Sequence, residues 1–121
     1  MAQLVPVATV GQVKGMVDAV RSVHVAPAIK AYLVDLAAAT RRHGAIALGM
    51  SPRATLSLQR AARARAAAAG RNYVTPDDVK ALAEPVLAHR LLLAPESQLQ
   101  GSTPARVLDE ILGTVPVPTG R

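Results

Sequence analysis

At 121 residues the chain has the length of one domain with a core large enough to fold alone. Half of it is hydrophobic but only 2% is aromatic, so the core must be built from Ala, Leu and Val, which favours helices over a sheet. The absence of cysteine excludes disulfides, thiol chemistry and thiolate metal sites, and the net charge of +6 is carried mainly by arginine.

Residues 1–10 contain LVPVATV and read as an extended arm. The opening lacks a charged n-region and a long apolar stretch, so no signal peptide is expected. No apolar run approaches the ~18 residues of a membrane span. These absences make a soluble, cytoplasmic domain the expectation. A first helix fits Gly11 to Ser22, with Val13, Met16, Val17 and Val20 at the i, i+3, i+4, i+7 spacing. Val23-His24-Val25 is β-like. Pro27 then starts a longer helix to about Arg42, whose apolar face is Ile29, Tyr32, Leu33, Leu36, Ala37 and Thr40. Gly44 is placed to end it in the left-handed C′ position.

Ala45 to Leu48 reads as extended. Pro52 to Ala69 is a third helix, alanine-rich on nearly every side as a central packed helix would be, and Gly70 stops it. After the extended link Asn72-Tyr73-Val74, a fourth helix runs from Pro76 to about His89. Its face is Val79, Leu82, Ala83, Val86 and Leu87, and Pro85 is expected to kink it. Residues 94–103 read as a polar loop and Ala105 to Leu112 as a last short helix. The tail VPVPTGR cannot be helical. The expectation is an all-α bundle of four to five helices with short extended connections. Its parts are an arm at 1–12, a helical domain at 13–93 and a C-terminal loop, helix and Pro-rich tail at 94–121.

Two helix starts share one design. Ser51-Pro52-Arg53 and Thr75-Pro76-Asp77 each set a hydroxyl at the N-cap and proline in the first helical position, where its missing N–H costs nothing. They differ in the first turn. The later start carries two acids, as the helix dipole prefers; the earlier one carries Arg53. A cation beside free N–H groups suits a bound anion such as phosphate, so Arg53 is singled out. No acid lies between Asp35 and Asp77, while Arg41, Arg42, Arg53, Arg60, Arg63, Arg65 and Arg71 all do. That run reads either as an anion-binding face or as a solvated helix surface. Solvation is the stronger reading for Arg65 and Arg71.

The chemistry of a self-contained enzyme is missing from these residues. There is no GxxxxGK[ST] loop and no strand ending in Asp-Glu for a magnesium site. His24, His43 and His89 lack ligand spacing, so no metal site is expected. Ser51 has no GxSxG context and is accounted for as a cap. Asp77 and Asp78 suit a helix start better than catalysis.

Four segments, VHVAPAIKAYLVDLAAATR (23–41), LGMSPRATLSLQRAARARAAAAGRNYVTPDDV (48–79), EPVLAHRLLL (84–93) and LDEILGTVPVP (108–118), resemble the C-terminal lid domain of the MoxR family of AAA+ ATPases. The resemblance covers most of the chain. It implies a small helical bundle closing over ATP held, with magnesium, by a P-loop core that this chain lacks. The GxSPRA segment of that family supplies the sensor 2 arginine, which reaches the γ-phosphate. Here it reads Gly49-Met50-Ser51-Pro52-Arg53-Ala54, so the catalytic role falls on Arg53 and nucleotide contact on Ser51 and Arg53.

The same resemblance implies several further properties. They are ATP hydrolysis by the parent protein but not by this chain alone, no tight nucleotide binding by the chain alone, and chaperone-like remodelling. The implied partners are the chain's own ATPase core, neighbouring subunits of a ring oligomer and a protein with a von Willebrand A domain. Neither membrane nor specific nucleic-acid binding is implied. The rival reading is a small basic DNA-binding or histone-fold-like module, because RNYVTPDDVKAL resembles a histone-fold segment. Against it stand the scattered arginines and the lack of an aromatic platform.

Overall fold

The computed structural model describes residues 3–119; the first two residues of the expected arm and the last two of the tail lie outside them. The helices are α1 (Val10–Arg21), α2 (Pro27–Arg42), α3 (Pro52–Ala68), α4 (Pro76–Leu87), α5 (Pro95–Leu99) and α6 (Pro104–Thr114). Two short strands, β1 (Ile46–Leu48) and β2 (Leu92–Leu93), pair antiparallel with an irregular register. The all-α reading holds, with six helices among the described residues rather than four to five. The added helix is α5, inside the stretch read as a polar loop, where Pro95 takes the first helical position.

Thr9 and Gln12 form a capping box: the Thr9 hydroxyl accepts from the Gln12 N–H, and the Gln12 side chain accepts from the Thr9 N–H. The helix therefore starts at Val10, one residue before the expected Gly11 and inside the segment assigned to the arm. The Thr-x-x-Gln signal was present in the sequence. α2 buries all six residues of its expected face. Gly44 does not take the left-handed conformation expected of it. Instead His43 is extended, and its Nδ1 accepts the Ala45 N–H at 3.0 Å. α3 buries Ala54, Leu58, Ala62 and Ala66, and α4 buries Val79, Ala83 and Leu87. Both rows repeat every four residues, the ridge that packs into a facing groove, and small alanines let the two helices approach closely. Ala64, Ala68 and Ala69 are exposed, so α3 is packed along one stripe and not all round.

α3 ends as Gly70 (φ 78°) turns left-handed. The Gly70 N–H bonds to the Ala67 carbonyl and the Arg71 N–H to the Ala66 carbonyl, a Schellman closure. The β-like piece at His24 pairs with the extended link at Tyr73. α4 runs through Pro85 to Leu87 and tightens into a 3-10 turn at Ala88–Arg90, so the helix stops short of His89. α6 spans Pro104–Thr114 and sets Val107, Leu108 and Ile111 in the same core as α2, α3 and α4. The C-terminal segment therefore helps to build the bundle.

The expected face of α1 is the main departure. No α1 residue is buried: Val13, Met16 and Val17 remain 50%, 58% and 44% exposed. Tyr32 is fully buried, yet its hydroxyl has no partner among the described residues. Burial raises its pKa.

Candidate functional site at the start of α3

The loop before α3 is fastened to the end of α2. The Met50 N–H donates to the Thr40 hydroxyl at 2.9 Å, and Arg41 Nε donates to the Met50 carbonyl at 2.9 Å. Thr40 is fully buried, and its hydroxyl also donates to the Ala37 carbonyl. Met50 is buried in the core. Gly49 makes this fit possible. A Cβ there would lie 2.8 Å from the Thr40 carbonyl carbon and 2.9 Å from the Arg41 nitrogen, and backbone atoms cannot yield.

α3 thus starts at a point fixed by its neighbour. Pro52 has no N–H, the Ala54 N–H goes to the Ser51 hydroxyl at 3.1 Å, and the Thr55 N–H goes to the Ser51 carbonyl. The Arg53 amide is the first-turn N–H left without a partner among the described residues. The Arg53 side chain is exposed and makes no hydrogen bond or ion pair among those residues. The Ser51 oxygen is engaged as a cap. Sequence reasoning thus finds both residues at one helix start, with Arg53 free and Ser51 occupied.

A cleft of about 450 Å³ opens beside this start. Its apolar lining includes Leu48, Met50, Pro52 and Ala54; Arg41 and Arg90 are its charged lining, and Arg53 is not part of it. Arg90, from the 3-10 turn, reaches the Ser57 hydroxyl of α3 at 3.4 Å. Sequence reasoning missed Arg90, because only the tertiary fold brings the end of α4 against α3.

The other helix start became something different. Asp78 is fully buried. Its carboxylate accepts two bonds from Arg71, both at 2.7 Å, one from Arg65 and one from the Thr75 N–H at 2.8 Å. Burial by itself would raise the Asp78 carboxyl. The bonds from Arg71, the Thr75 backbone, Arg65 and the Thr75 hydroxyl outweigh it and hold the carboxyl well below the usual carboxylate range. Arg65 and Arg71, read above as solvated, are instead an ion network joining α3 to the start of α4. Arg71 also stacks over Tyr73, 5.8 Å from the ring centroid. Within the histone-like stretch RNYVTPDDVKAL, Arg71 and Asp78 bind each other.

Among the described residues no three His, Cys, Asp or Glu side chains gather as metal ligands. No helix among them is long and apolar enough to cross a membrane.

The AAA lid domain family matches residues 38–111, a span that starts before the fastened loop and ends in α6. The chain belongs to that family. Its relatives identify it as the lid of a MoxR-type AAA+ ATPase. The uncharacterized protein YeaC of Bacillus subtilis is 39% identical over 102 residues, covering 84% of this chain and 32% of that protein. Protein MoxR of Paracoccus denitrificans is 38% identical over 110 residues, covering 78% and 32%. A crystal structure of a proposed ATPase from Cytophaga hutchinsonii superposes with a TM-score of 0.79 at 28% identity, covering 84% of this lid and 34% of that chain. The lid spans about a third of the length of the curated relatives it matches.

Proposed function

We propose that this lid closes over ATP held by a P-loop core of the same polypeptide, and that Arg53 is its contact to the terminal phosphate. One observation carries the reading. Arg53 is an unpaired guanidinium beside an unpaired amide, at a helix start rigidly fixed by Thr40, Arg41 and Gly49. Among the described residues nothing bonds the Arg53 guanidinium, which supports a role for its charge toward an anion. An arginine in this position stabilises charge in phosphoryl transfer and senses whether the γ-phosphate is present. Magnesium would be held by the core, as the resemblance to MoxR ATPases implies. Ser51 acts by setting the first turn of α3. Assembly into a cytoplasmic ring, chaperone-like remodelling and work beside a von Willebrand A domain protein belong to the same proposal. Their support is the resemblance to MoxR lids.

The test joins the lid to its ATPase core and compares wild type with Arg53→Ala and Arg53→Lys in single-turnover hydrolysis. Loss of one transition-state donor slows hydrolysis by roughly 10²–10³-fold. Lysine should rescue little, because an ammonium lacks the planar fork. In the lid alone, Arg53→Ala should leave the melting temperature unchanged or slightly raised, because the charge opposes the helix dipole. Hydrolysis at the wild-type rate would remove Arg53 from the mechanism.

A further inference from the structure

A second cleft, of about 730 Å³, lies between α1 and α3, on surface that the nucleotide reading of Arg53 does not use. Its apolar lining is Val13, Met16, Val17 and Val20 of α1. These are one helical stripe, two turns or about 10 Å long. Val13, Met16 and Val17 are left about half exposed, and Met16 is a side chain that adapts to varied partners. All the remaining lining is arginine: Arg21 from α1 with Arg60 and Arg63 from α3. No acid lines the cleft. Arg63 Nε is buried without an acceptor among the described residues, a cost that a partner carboxylate would remove.

From this arrangement we infer that the α1–α3 cleft is a docking groove for an acidic amphipathic helix. That helix would present apolar residues at i, i+3, i+4 and i+7 to the α1 stripe and carboxylates to Arg21, Arg60 and Arg63. Charge decides among the possible occupants. A second copy of this lid packed cleft to cleft would set arginine against arginine. A nucleic acid would satisfy the arginines but leave the valine–methionine stripe in water, with no aromatic residue lining the cleft to stack a base. An acidic helix matches both the apolar floor and the arginine lining.

The test is fluorescence anisotropy on the 121-residue chain with synthetic peptides of about 15 residues, roughly four helical turns. One peptide carries leucine at the stripe spacing flanked by glutamate. A second replaces each glutamate with lysine, and a third scrambles the leucines at constant composition. The first should bind saturably, and more weakly as salt rises from about 50 to 300 mM. The lysine and scrambled peptides should bind at least about tenfold more weakly. Met16→Glu should abolish binding of the first peptide without lowering the melting temperature, since Met16 is exposed. Arg60→Glu should weaken it and improve binding of the lysine peptide. That exchange of preference is a result no unfolding artefact can produce. No saturation by about 1 mM peptide would overturn the proposal. So would equal binding of the scrambled peptide, or a single-stranded oligonucleotide that binds tighter and is insensitive to Met16→Glu.

Discussion

Replacing Asp78 with asparagine should lower the stability of this lid modestly and remove much of its sensitivity to acid. The carboxylate is fully buried and accepts from Arg71, Arg65 and the Thr75 N–H. Asparagine can still accept the Thr75 N–H, so the cap survives in part. The charge-assisted bonds to the arginines are lost, at about 1.5–3 kcal/mol in total rather than per bond. The total stays modest because both arginine side chains, 43% and 25% exposed, can turn to water. Asp78→Ala loses the cap as well, for about 1 kcal/mol more.

For a chain of 121 residues each kcal/mol moves the melting temperature by about 4 °C. The expected falls are therefore about 6–12 °C for asparagine and about 10–16 °C for alanine. Acid tests the same network. The folded carboxyl is held below its unfolded value of about 3.9. A depressed group contributes stability that is fully present above the unfolded value and is lost as pH falls toward the folded one. Wild type should therefore lose stability relative to Asp78→Asn progressively below about pH 5, and the gap between the two melts should narrow toward pH 2.5. Thermal melts of both proteins across that range are the assay. A gap that stays constant from pH 7 to pH 2.5, or an asparagine variant as stable as wild type at pH 7, would refute the network's role.

Gly49→Ala should lower the denaturation midpoint by the equivalent of about 1–3 kcal/mol, because its Cβ meets backbone atoms of Thr40 and Arg41 at 2.8–2.9 Å. An unchanged midpoint in chemical denaturation would mean that the loop can move off α2. Tyr32→Phe should be neutral or stabilising by up to about 1 kcal/mol, because it deletes a buried hydroxyl without a partner. A melting temperature several degrees lower would show that this hydroxyl bonds to a buried water.

The helix starts were legible because capping is local chemistry. A hydroxyl, a proline and the first-turn charges act within four residues, so Ser51 and Thr75 could be read without knowing what packs nearby. The buried face of α2 was legible for a similar reason, since a helical period needs no partner to be seen. Spacing does not reveal whether a partner exists, and for this reason the α1 stripe, equally periodic, proved exposed. The fates of the arginines depended on the fold. The Schellman turn at Gly70 swings Arg71 back onto Asp78, and the α3–α4 packing brings Arg65 to the same carboxylate, while Arg53 faces solvent. β2 and Arg90 meet their partners across more than thirty residues of chain. The starts of α2, α3 and α4 and the apolar faces could be read from the residues alone, because they are short-range properties of the backbone. Which arginines hold the lid together and which face solvent depends on segments brought together only when the core closes.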